Sequence, residues 1–143
     1  MIVAEIIARL QAIAPPVFAL VEGAAELAAL GSGTPPAMPA AYVYIAEEAS
    51  ADNERLTGVL QRTEIDISLL LVASSAADPR GGVASGDLEA LKRAARGALL
   101  GWQPPSADDV VTHVGGRIVR FRDNAVWWEM TLGTAVYLDG DAS

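Results

Sequence analysis

Two carboxylates, Glu64 and Asp66, have the spacing of an acid–base pair. They alternate with Ile65 and Ile67 on a predicted strand, so both side chains point to one face and lie about 7 Å apart. A pair of carboxylates flanking a scissile bond is what glycoside hydrolysis requires. That chemistry also needs a pocket that keeps one carboxyl protonated and the other ionised, and the neighbouring sequence supplies none. A solvated strand face therefore explains the pair better than catalysis.

The chain offers little else for metal or nucleophilic chemistry. His113 is the only histidine and there is no cysteine, so a transition-metal site would need carboxylates around one imidazole. The acidic segment of residues 47–54 lacks the ligand spacing and internal glycine of a calcium loop. No Gly-x-Ser-x-Gly elbow is present, and Gly81-Gly82 and Gly115-Gly116 continue into no phosphate-binding pattern. We therefore predict no catalytic residue, no cofactor and no metal site.

The composition is that of an acidic globular protein. The chain has 143 residues and a formal net charge of -8. Residues 1–143 are predicted to form a single domain, because chains of this size usually do. The negative charge argues against a nucleic-acid-binding function but suits a surface that DNA passes without binding. The absence of cysteine fits assembly in a reducing cytosol, and the first ten residues resemble neither a secretory signal nor a membrane span.

Two amphipathic helices are predicted. Apolar residues recur at three- and four-residue spacing over residues 3–13, which indicates an opening helix that Pro15-Pro16 ends. A second long helix is predicted over residues 87–100, with one apolar and one basic stripe. Ser85 or Asp87 could cap its start.

One long strand stands out among the remaining elements. Residues 64–71 alternate between polar and apolar types, as expected for a strand buried on one side. The strand could begin as early as Leu56, which would make residues 47–58 the tip of a long hairpin. The other predicted elements are a strand over 17–22, one or two helical turns over 23–30, a loop over 31–36, a strand over 41–46 and a loop over 73–86.

The C-terminal sheet can be registered by its turns. Gly115-Gly116 and Asp123-Asn124 both suit two-residue hairpin loops, because these residue types tolerate a positive φ. Taking both as turns pairs Phe121 with Val126, Val119 with Trp128 and Thr112 with Val119. The predicted core face then carries Val110, Val114, Phe121, Val126, Trp128 and Met130.

The opposite face of this sheet carries an unexpected tryptophan. Trp127 lies opposite Arg120, close enough to stack on it, and Glu129 is diagonal to the arginine. The other predicted members of this face are Val111, His113, Ile118 and Arg122. A fully exposed face of this kind is unusual for a small soluble monomer. Either a helix of the same chain or another subunit should cover it.

Arg117, Arg120 and Arg122 form the dense basic cluster of an acidic chain. It could meet an acidic surface such as the 47–54 segment of a neighbouring subunit, or it could be the solvated outside of a hairpin. Tryptophan and arginine are both enriched among interface anchors, which favours contact. The candidate interface residues are Trp127, Arg120, Arg122, Arg117, Glu129, Glu47, Glu48, Asp52 and Glu54.

Three stretches of the sequence are LLGWQPP at residues 99–105, VGGRI at 114–118 and NAVWW at 124–128. Together with the order and length of the predicted elements, they resemble the tail terminator proteins of tailed bacteriophages, and the resemblance covers nearly the whole chain. It implies a small domain in which a mostly antiparallel β-sheet is flanked by helices. With the elements above, the expected fold is α+β, with two main helices and a C-terminal β-hairpin sheet.

The resemblance also implies a function. Such proteins are virion structural proteins, not enzymes, and need no cofactor. The chain would form a homohexameric ring on the head-proximal end of the tail tube, stop tube polymerisation and join tail to head. The implied partners are other copies of itself, the tail tube protein and a head-completion or neck protein. DNA would cross the lumen without specific binding, and no membrane is involved. The expected location is the neck region of the virion, after assembly in the host bacterial cytoplasm.

Two alternatives remain open at this point. A neck or head-completion protein, acting one layer higher, would share the fold and the lack of chemistry. A small-ligand-binding module or hydrolase would instead use Glu64, Asp66 or His113.

Overall fold

The computed structural model describes residues 1–74 and 82–140, including all of their side chains except those of residues 82–86 and Arg122. The helices are α1 (Ile2–Gln11), α2 (Ala24–Leu30) and α3 (Gly82–Leu99). The strands are β1 (Leu20–Glu22), β2 (Ala40–Ser50), β3 (Val59–Ser74), β4 (Thr112–Arg122) and β5 (Ala125–Gly140). The five strands form one sheet in the order β1-β2-β3-β5-β4.

The sheet is antiparallel except at one edge. β1 pairs in parallel with β2, which follows it through α2, and every other neighbouring pair of strands is antiparallel. Parallel neighbours need such a crossover, whereas antiparallel neighbours can be joined by a hairpin. The predicted α+β class with a mostly antiparallel sheet is confirmed.

The main core lies on the sheet face that α1 and α3 cover. Ile2, Ile6 and Leu10 recur every four residues of α1 and are buried against the sheet. Leu88, Leu91, Ala95 and Leu99 form the matching stripe on α3. Burying each large side chain of this kind contributes about 1.5–3 kcal/mol. The two predicted helices are confirmed, but α3 begins at Gly82, so Ser85 and Asp87 lie inside it and the predicted cap is wrong.

The opposite face of the sheet has a smaller core under α2. It contains Ala40, Tyr42, Leu70, Val72, Ala125 and Trp127, with Leu27 and Leu30 of α2 packed against them. A sheet covered on both faces explains why strand residues of both parities are apolar over residues 69–73, where simple alternation stops.

β2 and β3 form a long hairpin whose outer half projects past the helices. β2 runs to Ser50 and β3 begins at Val59, so the loop between them is residues 51–58. The long-hairpin prediction is therefore confirmed, and the first half of the predicted acidic segment is strand. β3 also extends to Ser74, so the predicted loop over 73–86 starts too early. The rest of that loop before Gly82 lies outside the described residues.

The prediction of a turn at Gly115-Gly116 is wrong. Both glycines lie inside β4, opposite Thr131 and Met130 of β5. The turn at Asp123-Asn124 is confirmed, with φ of 55° and 58° at these residues. Because β4 is one continuous strand, Thr112 pairs with Gly133 instead of Val119.

Two bulges in β4, at Val114 and Val119, account for the other errors of register. Each bulge adds one residue to β4, so the residues before it and after it no longer follow a single alternation between the two faces. Ile118 lies opposite Trp128 instead of Val119, whereas the pairs Phe121–Val126 and Arg120–Trp127 are as predicted. The predicted faces also err in burial: Val111 is fully buried in the main core, whereas Val110, Val114 and Phe121 are exposed.

Gly116 is a glycine because the indole of Trp128 packs on it. A Cβ at this position would lie 2.6 Å from Cζ2 and 2.8 Å from Nε1 of Trp128. Gly116→Ala is expected to lower the free energy of unfolding by about 1–3 kcal/mol, because the ring must leave its place in the core. Urea denaturation measures this change.

The neighbouring Gly115 is the matched control. A Cβ there meets no atom within 4 Å. Gly115→Ala should change the free energy of unfolding by no more than about 0.5 kcal/mol. Equal effects of the two substitutions would contradict a packing role for Gly116.

Candidate assembly surfaces

Trp127 is covered by its own chain. Its ring stacks on Tyr42 with centroids 6.2 Å apart and an interplanar angle of 8°, and it belongs to the cluster that Leu27 and Leu30 of α2 close. It is 4% exposed. The predicted stacking on Arg120 is present, with the guanidinium carbon 4.8 Å from the ring centroid. Of the two alternatives for covering Trp127, the structure shows the chain's own helix, so Trp127 can act on a partner only by holding Arg120.

The β4–β5 hairpin presents the basic cluster. We call this surface the basic hairpin and define it by Arg117, Arg120 and Arg122. The Arg117 side chain is 75% exposed, and its Nε donates to Oε1 of Glu129 at 3.2 Å. The other oxygen of Glu129 accepts a hydrogen bond from Ser68 Oγ at 3.0 Å. Glu129 therefore positions Arg117 from the sheet, whereas the side chain of Arg122 lies outside the described part of the structure.

Exposed apolar side chains accompany these arginines on β4. They are Val114, Ile118, Val119 and Phe121, the last of which is 64% exposed. The sequence predicts Val114 and Phe121 in the core, and of the four only Ile118 on the face that a helix or another subunit should cover. Their exposure follows from the position of β4 at the sheet edge, beyond which the described part of the chain has no strand, and the sequence carries no signal of that position.

The acidic candidates lie on the projecting half of the β2–β3 hairpin, residues 47–64, which we call the acidic arm. Glu47 and Glu48 are exposed in β2, and Asp52 and Glu54 are exposed in the loop that follows. Asn53 holds this loop between them: its Oδ1 accepts from the Leu60 N–H at 3.0 Å, and its Nδ2 donates to the Gly58 carbonyl at 3.1 Å. The loop carboxylates are thus displayed on an ordered turn.

Arg62 anchors the arm at its base. Its Nη2 donates to Oδ2 of Asp109 at 2.9 Å, and its guanidinium carbon lies 6.0 Å from the ring centroid of Tyr137. This hydrogen bond, together with one from the Val110 N–H, holds the pKa of Asp109 below its usual value. The charged form of Asp109 is therefore favoured, and it fastens the arm to the segment before β4.

The basic hairpin and the acidic arm lie at opposite ends of the sheet. β4 starts where Thr112 meets Gly133, which lies opposite Asp66 of β3, so β4 runs away from the arm toward the other end of β3. In the described part of the chain, Arg117 pairs with Glu129 and no ion pair joins the basic hairpin to the arm. The two surfaces are thus available to different neighbours.

The structure brings together two of the three residues considered for catalysis. Glu64 and Asp66 line a depression open to solvent, with Arg62 and Asp109. His113 is exposed on β4. Among the described residues, no group of three or more His, Cys, Asp and Glu side chains is placed to hold a metal ion. Within the same residues, no helix is long and apolar enough to cross a membrane.

Comparison with known families decides the class of this protein. The model of the family described as "Phage tail terminator protein" matches residues 1–140. The chain belongs to the phage tail terminator family. The resemblance seen in the sequence is thereby confirmed, and the chain is a structural protein of a phage tail. As a tail terminator family member, it is a component of a virion.

A solved structure shares the fold of this tail terminator family member. It is described as "Virion of native gene transfer agent (GTA) particle", has 17% sequence identity and superposes with a TM-score of 0.54. The similarity covers 94% of this chain and 93% of the other. At this identity the likeness shows the fold alone. A comparison with curated proteins found no match.

Proposed function

We propose that this tail terminator family member caps the head-proximal end of the tail tube as a ring of six copies. The ring stops tube polymerisation and presents the surface to which the head-completion or neck protein binds. The family match over residues 1–140 carries this proposal. The fold shared with a chain of a gene transfer agent virion supports it.

The two charged surfaces supply the kind of contact that a ring needs. A cyclic ring larger than a dimer is built from heterologous interfaces, in which one patch meets a different patch of the next subunit. The basic hairpin carries Arg117, Arg120 and Arg122, and the acidic arm carries Glu47, Glu48, Asp52 and Glu54. Their opposite charge and their separation within one chain fit a head-to-tail contact between neighbours. Glu129 and Trp127 hold the two arginines of the described part in place.

The remaining features of the proposal concern DNA and partners. The net charge of -8 keeps the ring from binding the DNA that crosses its lumen, because negatively charged side chains repel the phosphates. The ring acts by binding the tail tube protein on one side and the neck protein on the other, without catalysis, cofactor or membrane. It assembles in the host bacterial cytoplasm and stays in the neck region of the virion.

Tube polymerisation in vitro tests this function. Purified tail tube protein that elongates freely should stop at shorter lengths when this protein is added at one ring per tube end, and the capped tubes should not resume growth. Unchanged tube lengths, with binding to the neck protein alone, would instead assign the chain to the head-completion layer. A hydrolytic activity of the natural protein that is lost in Glu64→Gln would favour the hydrolase alternative.

A further inference from the structure

Both edges of the sheet are open to pairing over long stretches. Among the described residues, β4 is the last strand of the sheet and has β5 on one side only. At the other edge, β1 pairs with β2 only at residues 40–42, so residues 43–50 of β2 have no strand beyond them in the described structure. Unpaired strand edges with exposed apolar residues attract another strand, unless they are protected or covered.

The outer half of β2 directs backbone groups to this open edge. Antiparallel ladders alternate bonded and non-bonded pairs, and the Ala51 N–H donates to the Arg62 carbonyl at 2.8 Å. Counting back along β2, Ser50 and Glu48 are in the non-bonded pairs, so their N–H and C=O groups point away from β3. A strand from another copy could bind these groups.

We infer that the open edge of β4 in one subunit pairs with the outer half of β2 in the next subunit, so that one continuous sheet runs around the ring. This inference rests on the proposed ring function and names the contact that closes it. Within the sheet, β2 and β4 run in opposite directions. Rotating one subunit onto the next about the ring axis keeps the direction of each strand along that axis. β4 of one subunit and β2 of the next are therefore antiparallel.

Charge fixes which edges meet and in what register. Glu47 lies opposite Asp66 of β3, whereas Arg120 lies opposite Trp127 of β5, which in turn lies opposite Val72 of β3. Directly opposite residues share a face, and Asp66 and Val72 are an even number of residues apart on one strand. Glu47 and Arg120 are therefore on the same face of the sheet. With Glu47 opposite Arg120, Arg117 lies diagonal to Glu47 on this face. Two β4 edges would repel each other through their arginines, and two β2 edges through their glutamates, so the heterologous pairing is selected.

The register also satisfies the geometry of a closed ring. Asp66 and Val72 are six residues apart on β3, an offset of about 20 Å. Each subunit adds four strands to the continuous sheet, β2, β3, β5 and β4, or about 19 Å across the strands. The strands then tilt by about 46° from the ring axis, close to the range of about 35–45° for closed barrels, and the sheet closes at a diameter of about 53 Å with six copies.

This six-residue offset keeps β1 of the neighbouring subunit clear of β4. β1 pairs with residues 40–42, which lie at the level of residues 70–72 of β3. A shift of six residues moves it past the Asp123-Asn124 turn, which ends the β4 edge. The short strand β1 therefore does not compete with β4 for the open edge of β2.

Disulfide trapping tests the inference, and the natural chain contributes no cysteine of its own. Glu47→Cys with Arg120→Cys in one chain is expected to give a ladder of covalent oligomers that ends at six on a non-reducing gel. Phe121 follows Arg120 on the opposite face of β4, so Glu47→Cys with Phe121→Cys should cross-link at least about fivefold less. Leu138 lies on β5, two strands in from the β2 edge, so Leu138→Cys with Arg120→Cys should also give no cross-link.

The mass of the natural protein in solution separates the two levels of the account. If the natural protein is a hexamer but the Glu47/Arg120 pair cross-links no better than the controls, the strand pairing is overturned and the ring stands. A strictly monomeric natural protein, alone and with tail tubes, overturns both. Cross-links to the tail tube protein in place of a second copy would assign the β4 edge to the tube and overturn the inference.

A proline at Glu48 gives a second test that needs no cross-link. Glu48→Pro removes an N–H that points away from β3, whereas Glu48→Ala removes the same charge and keeps the N–H. The proline variant is expected to lower hexamer affinity at least about tenfold relative to the alanine variant. Equal hexamer affinity of the two variants would overturn the pairing.

Discussion

Reversing two charges on the basic hairpin, Arg117→Glu with Arg120→Glu, is expected to abolish ring formation while the subunit stays folded. Each interface would bring these new carboxylates against the acidic arm of the next subunit, where Glu47 is exposed on the same face of the sheet. Losing close charge pairs and adding like charges costs about 2–5 kcal/mol, so subunit affinity should fall by about 30-fold or more. Sedimentation velocity measures the loss of hexamer, and circular dichroism confirms the fold.

Restoring complementarity in the same chain is the decisive control. Adding Glu47→Lys to the double arginine variant should bring the hexamer back, because opposite charges again meet across each interface. Arg93→Glu changes the same charge on an exposed position of α3 and should leave assembly unchanged. A hexamer that survives the double arginine reversal would remove the basic hairpin from the interface.

Trp127→Ala is expected to destabilise the subunit by about 3–5 kcal/mol. The side chain is 4% exposed and fills the smaller core, where it stacks on Tyr42 under α2. Removing it leaves a cavity between α2 and the sheet and releases Arg120, which now lies over the ring. Urea denaturation at a concentration that keeps the protein monomeric measures the effect on folding alone.

Phe121 is the matched aromatic control for this substitution. It lies on the adjoining strand but is 64% exposed, so Phe121→Ala should change the free energy of unfolding by no more than about 0.5 kcal/mol. Phe121→Ala should instead weaken the assembly. A Trp127→Ala subunit as stable as natural protein, yet unable to form rings, would return Trp127 to the interface.

The sequence predicts this fold where a single local signal decides each element. The period of α1, the alternation of β3 and the Asp123-Asn124 turn are confirmed, because apolar spacing and a positive φ each leave one choice. Gly115-Gly116 shows the limit of such signals. A glycine pair suits a turn, but here Gly116 makes room for Trp128 across the sheet, a contact that only the tertiary structure reveals.

The surfaces could be predicted less well than the elements, for a related reason. The bulges at Val114 and Val119 leave no mark in residue type, yet they change which side chains share a face. The cover on Trp127 comes from α2, about 100 residues earlier in the chain, so the same tryptophan could equally have awaited another subunit. The charges of Arg117, Arg120 and Glu47 needed no such knowledge, since charged side chains stay at the surface of most folds.

Imaging of tail tubes mixed with this protein tests the central claim most directly. Class averages of tube ends by electron cryomicroscopy should show a six-fold ring on one end of each tube, with six copies per ring. Every tube end without a ring should be the end opposite to the head-proximal one. Density spread along the tube wall, rings on both ends, or a copy number other than six would contradict the proposed capping ring.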